Sequence, residues 1–123
     1  MNTEDNAQQG SGPIATINQL WGGSLTHFAL DPITQRGELR IRVLDDGVTK
    51  DHIVTCSDVV DCRFSSNIPG PWSYAEVTQV EAAYDHAAAL WLIEFMLWSE
   101  EAGISIRSSD ISINGQPLDV PRW

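Results

Sequence analysis

The sequence predicts a mainly β protein: a single antiparallel β-sandwich or strongly curved sheet with a short N-terminal helix. Three observations carry this expectation. Several segments alternate apolar and polar residues with a period of two, most cleanly Glu38–Val43, Gly103–Arg107 and Asp110–Ile113. Tight-turn pairs separate them, notably Asp46-Gly47 and Asn114-Gly115, which supply the positive φ angles a two-residue hairpin demands. The most apolar stretch, Ala87–Trp98, carries one charge and two of the five tryptophans. It is too short to cross a bilayer, which takes roughly 20 apolar residues, so other parts of the chain must cover it.

A chain of 123 residues fits one domain. Residues 1–12 are polar and aperiodic and are expected as a disordered leader, with residues 13–123 as the globular domain. The expected helix starts at Ser11 or Gly12, with Pro13 in its first turn. Ile14, Ile17, Leu20 and Trp21 lie on one face, and Gly22-Gly23 ends it. In Leu25–Leu30 the period becomes two, with Thr26, Phe28 and Leu30 on one side and Leu25, His27 and Ala29 on the other. Asp31–Gly37 reads as a turn, and Leu39, Ile41 and Val43 as the dry face of the next strand. A return strand covers Thr49–Ser57, and Asp58–Phe64 continues it as a bend or a further strand.

Pro69-Gly70-Pro71 fixes a loop from which Trp72 emerges. Tyr74–Tyr84 alternates, but neither face is purely apolar, which suggests a strand near a sheet edge. Ala87–Trp98 reads as a central strand with Trp91, Ile93, Phe95 and Leu97 on one face. As a helix over about 86–101 it would give an α+β alternative, since Ala, Leu, Met and Glu are good helix formers. On the strand reading, Glu94 needs a partner such as Arg40, Arg42 or Arg107. Pro117 confines the last segment to an edge.

Composition narrows the function classes. Seventeen acidic residues against seven basic ones give a formal charge of −10. Such a surface repels phosphate backbones and anionic lipid headgroups, so nucleic acid and membrane are not the expected partners. Positively charged proteins would be steered toward it. The first residues show neither a basic n-region nor an apolar h-region, so a cytoplasmic location is expected, with Cys56 and Cys62 as free thiols.

No catalytic pattern stands out. The sequence has no G-x-S-x-G elbow, H-E-x-x-H helix, EF-hand loop or phosphate-binding glycine loop, and C-x5-C matches no common zinc pair. His27, His52 and His86 are scattered, and Glu76 and Glu81 are expected on opposite faces of their strand. The chain is therefore read as a non-enzyme without cofactor or metal site. Its candidate binding residues are Trp72 and Tyr74, aromatic anchors beside the Pro-Gly-Pro loop, with Asp58, Asp61 and Glu76 as acidic companions. In size and charge the chain is similar to the small, acidic, mostly-β proteins with which bacteria neutralise basic toxins. That likeness rests on no motif and transfers no residue. The expectation is a protein that binds another, basic protein. A ligand pocket assembled from distant residues and a homo-oligomer of structural role are the alternatives.

Overall fold

The computed structural model describes residues 17–99 and 101–121. It contains β1 (Ser24–Asp31), β2 (Arg36–Asp45), β3 (Val48–Ser66), β4 (Ala75–Asp85), β5 (Leu90–Leu97), β6 (Ala102–Ile113) and β7 (Gln116–Pro117). All pairings are antiparallel, in the order β3-β2-β1-β4-β5-β6-β7, and β3 pairs a second time with β6. The mainly β expectation holds, and of its two forms the curved sheet is the one observed. The second pairing of β3 closes that sheet into a six-stranded ring, with β7 as a short edge on β6. The α+β alternative is set aside, because Leu90–Leu97 is a strand between β4 and β6 and Ala87–Ala89 lie in the turn before it. The leader and the first half of the expected helix lie outside the described residues. From Ile17 to Gly23 the chain makes i→i+3 turns, with Leu20 N–H donating to the Ile17 carbonyl and Gly23 N–H to that of Leu20.

Long β3 makes the closure possible. Val48–Cys56 pairs with β2 and Val54–Ser66 with β6, so one strand serves two neighbours by bending at its centre. At the bend Asp58 has φ 55° and the register shifts between Val59 and Asp61, leaving Val60 as an extra residue. Bulges of this kind bend strands and re-aim side chains.

The core fills the ring. Leu39, Ile41, Val54, Cys56, Val77, Val80, Trp91, Ile93, Phe95, Leu97, Ile104, Ile106, Ile111 and Ile113 are all buried, and Ile17, Leu20 and Leu118 cap it from the chain ends. The inner face of β5 carries Trp91, Ile93, Phe95 and Leu97, the four residues that the alternation groups on one side. Gly23 allows the N-terminal turn to dock, since a β carbon there would lie 2.7 Å from Ile41 Cγ2 and 2.9 Å from the Arg42 carbonyl.

Two further bulges correct the predicted faces of β1 and β4. In β1 the register shifts between Leu25 and His27, so Leu25 faces inward with Phe28 and Leu30, not with His27 and Ala29. In β4 it shifts between Val77 and Gln79, so Ala75 and Val77 share the inner face with Val80, Ala82 and Tyr84. The mixed character of the β4 alternation is therefore a change of phase along one strand. In both cases the extra residue is a threonine whose hydroxyl donates across the ladder, Thr26 Oγ1 to the Arg40 carbonyl (3.4 Å) and Thr78 Oγ1 to the Met96 carbonyl (3.2 Å). A side-chain donor thus stands in at each point where the regular ladder is interrupted.

Two hairpins share one construction. Asp31 Oδ1 accepts the N–H groups of Ile33 and Thr34, and Asp85 Oδ1 accepts those of Ala87 and Ala88. Each loop returns through a residue at φ 57°, Gln35 in one and Ala89 in the other. The shortest seam of the ring lies between β1 and β4, which pair only through Ser24–Glu76 and Leu25–Ala75.

Candidate functional site

One end of the ring is aromatic. It gathers the end of β3, the 67–74 loop, the start of β4 and the β5–β6 turn. Phe64 lies opposite Ile104 in the β3–β6 ladder and so belongs to the inner face, yet it is 57% exposed because no strand crosses over it there. Trp72 packs edge-on against both Phe64 and Trp98, at centroid separations of 6.0 and 6.1 Å. Tyr74, 49% exposed, packs on the other side of Trp98 at 5.5 Å. Edge-to-face geometry at these separations is attractive, about 0.5–1.5 kcal/mol per pair beyond burial.

The loop is tied down locally. Trp72 Nε1–H donates to the Pro69 carbonyl (3.0 Å), and Ser66 Oγ bonds both the N–H and the carbonyl of Ile68. Asn67 N–H donates to the Glu101 carbonyl, joining the loop to the β5–β6 turn.

Trp98 is the unusual member. Its φ is +54°, a region that bulky residues rarely enter. Its main-chain N–H donates to the Glu76 carbonyl, but its indole Nε1 is buried with no acceptor, alone in this among the buried side-chain nitrogens and oxygens of the described residues. A left-handed non-glycine residue costs of order 1–3 kcal/mol, and a buried unsatisfied donor about 1–3 kcal/mol.

The structure divides the five candidate residues. Trp72, Tyr74 and Glu76 meet at this end, joined by Phe64 and Trp98, which the sequence reading did not select. Asp61 is three positions before Phe64 along β3 and is held by Arg63 (3.2 Å). Asp58 lies at the β3 bend beside the β1–β2 turn, where Val59 N–H donates to the Gln35 carbonyl. At about 3.3 Å per residue it is roughly 20 Å along the strand from Phe64, so it is not part of the aromatic end.

Acidic side chains dominate the adjoining outer wall. The Thr78 bulge places Glu76 and Glu81 on the same outward face, against the expectation of opposite faces. Glu81 stands directly across the ladder from Glu94, which in turn faces Ser105. Glu94 is exposed and forms no ion pair among the described residues, so the partner expected for it is not found. Elsewhere Glu38, Asp45, Asp51 and Asp61 neutralise Arg40, Lys50, Arg42 and Arg63. The β4–β5 wall therefore carries acidic charge without the ion pairs seen on β2 and β3.

No protein-family model and no curated protein matches this sequence.

The remaining chemical groups are dispersed. His27 lines a hollow of about 300 Å³ with Asp31, Thr34 and Arg36, and His52 lines another of about 430 Å³ with Asp45 and Lys50. Neither hollow contains a serine or cysteine beside the ring. His52 Nδ1 lies 2.9 Å from Asn114 Nδ2, whose amide oxygen accepts the Ile53 N–H, a clamp between β3 and the turn after β6. A smaller cavity of about 180 Å³ is lined by Tyr84, Asp85, Leu90, Leu92 and Arg107. Burial pushes the Cys56 thiol up to about 11 and also raises that of the less buried Cys62, so neither is an activated nucleophile. Among the described residues no group of three or more His, Cys, Asp and Glu is placed to hold a metal ion, and no helix is long and apolar enough to cross a membrane.

Proposed function

We propose that this chain is a non-enzymatic cytoplasmic protein that binds another protein, a positively charged one, through its aromatic end. It would act as a neutralising partner of the kind that holds a basic toxin or enzyme inactive. The observation that carries this reading is the cluster of Phe64, Trp72, Tyr74 and Trp98 at one rim of the core, where Phe64 and Tyr74 are about half-exposed and Trp72 and Trp98 partly buried. Aromatic anchors of this kind dominate interface energetics. The left-handed backbone of Trp98 fits a surface kept for contact, since strain of this sort gathers at binding sites. Glu76, Glu81 and Glu94 on the adjoining wall, without ion pairs among the described residues, select for cationic partners and against anionic ones.

The test is affinity capture from the source cell with the wild-type chain and with Trp72→Ala/Tyr74→Ala. A stoichiometric partner of high isoelectric point retained by the wild type and lost from the double variant is the expected result. Capture of the same proteins by both, or of none that is basic, defeats the proposal.

A further inference from the structure

The ring has a slot beside its aromatic end. β1 is joined to β4 only at Ser24 and Leu25, while His27–Asp31 continues in unbroken register with β2 for five more pairs. Along that length the other edge of β1 has no strand neighbour among the described residues. Trp21 and Gly22, just before β1, lie along β4 on the side away from the slot: Gly22 N–H donates to the Val77 carbonyl and Trp21 Nε1–H to that of Val80. Inward-facing side chains near the slot are uncovered, with Leu30 38% exposed and Phe64 57% exposed, whereas Leu39 and Ile41 farther round the ring are 0% exposed. Tyr74 immediately precedes Ala75, the last residue of β4 paired to β1, so the slot opens at the aromatic cluster.

We infer that the open edge of β1 receives an extended segment of the partner protein as an added strand. The segment carries apolar residues on the side facing Phe28 and Leu30 and basic residues on the other. An edge with unpaired N–H and C=O groups gives such a segment its main-chain bonds, and the pockets beside it select alternate side chains. The basic character rests on the charge of the whole chain: beside the edge Arg36 and Arg40 are offset by Asp31 and Glu38, while the chain carries −10, so a second copy is repelled and a cationic segment is drawn in. This inference rests on the proposed function and adds how the partner is held.

The probe is the capped peptide Lys-Val-Lys-Val-Lys-Val-Lys, added to the 15N-labelled full chain. Binding is expected to slow amide exchange at alternate residues of Thr26–Asp31 at least ~10-fold, with the indole signals of Trp72 and Trp98 shifting. A version with proline at the central valine, and one with glutamate for lysine, are each expected to lose at least ~10-fold in affinity. Indole shifts without β1 protection overturn the added strand and leave the aromatic end as the binding surface. No binding at millimolar peptide overturns the inference, while partner capture decides the proposed function separately. Protection of β1 that grows with protein concentration in the absence of peptide assigns the slot to a second copy and likewise overturns it.

Discussion

Glu81 and Glu94 face each other across the β4–β5 ladder with their Cβ atoms about 5 Å apart, and replacing one by lysine converts a repulsive pair into an attractive one. Two unit charges about 6 Å apart interact by about 0.7 kcal/mol in water, and screening at physiological salt reduces this to about 0.3 kcal/mol. Glu81→Lys removes one such term and adds another of opposite sign. The gain is therefore about 0.7 kcal/mol at physiological salt and about 1.4 kcal/mol at low salt, or a rise in Tm of roughly 3 and 5 °C. Glu94→Lys is expected to gain less, because Arg107 lies diagonally across β6 from Glu94 and repels the new lysine. The double lysine variant restores like charges and is expected to lose the gain. Thermal unfolding in 10 mM and 1 M NaCl measures all three, with Asp119→Lys, in the exposed tail, as the control for net charge. A Tm rise for Glu81→Lys that is unchanged in 1 M NaCl, or matched by Asp119→Lys, refutes the pairwise argument.

Other consequences are equally direct. Thr78→Val keeps the shape of the bulge but removes the donor to the Met96 carbonyl, and urea unfolding is expected to show a loss of about 1 kcal/mol. Ala89→Gly relieves a left-handed alanine and is expected to stabilise by about 0.5–1 kcal/mol in the same assay, despite the added freedom of the unfolded chain. For Cys56 the folded thiol lies at about 11 against an ordinary 9.0, so its share of stability is whole below pH 9 and is lost as pH rises through about 11. Cys56→Ala should flatten that alkaline limb of a pH–stability curve, and at pH 8 native alkylation should reach Cys62 before Cys56. Asp31 accepts two backbone N–H groups that hold its carboxyl below its ordinary 3.8, so Asp31→Asn should flatten the acid limb, where that stability is lost as pH falls.

What the sequence made legible, and what it hid, follows from how regular each strand is. β2 alternates without interruption on its core-facing side, and β6 does so in two runs, Ala102–Ser108 and Ile111–Ile113, on either side of a phase change at Ser109-Asp110, so the faces of each run were readable directly. β1 and β4 carry an extra threonine each, which reverses the phase part-way along, so a single alternation drawn through them mixes inner with outer residues. The misplacement of Glu81 relative to Glu76 has that one cause. The strand character of Leu90–Leu97 was legible only from context: with Leu92 and Met96 on the other side the run is apolar by either period, but the alternating segments that follow it across a short turn favour a hairpin, even though the preceding alanines favour a helix locally. Trp72 and Tyr74 could be selected because a Pro-Gly-Pro loop marks them. Phe64 and Trp98 could not, because each looks like an ordinary strand-end apolar residue. Only the pairing of β3 with β6, some forty residues apart in sequence, brings their ends together.

The bulges also bear on how this chain can change length. A one-residue deletion inside a regular strand sends every later side chain to the wrong side of the sheet. Loss of Thr26, Val60 or Thr78 does not, because each is already surplus to the alternation: the neighbours Leu25 and His27, Val59 and Asp61, or Val77 and Gln79 would then simply follow one another, inward and outward, as they already point. These three positions are where strands of related chains can differ by one residue without exchanging core for surface. What would alter is curvature, and with it the width of the opening between β1 and β4.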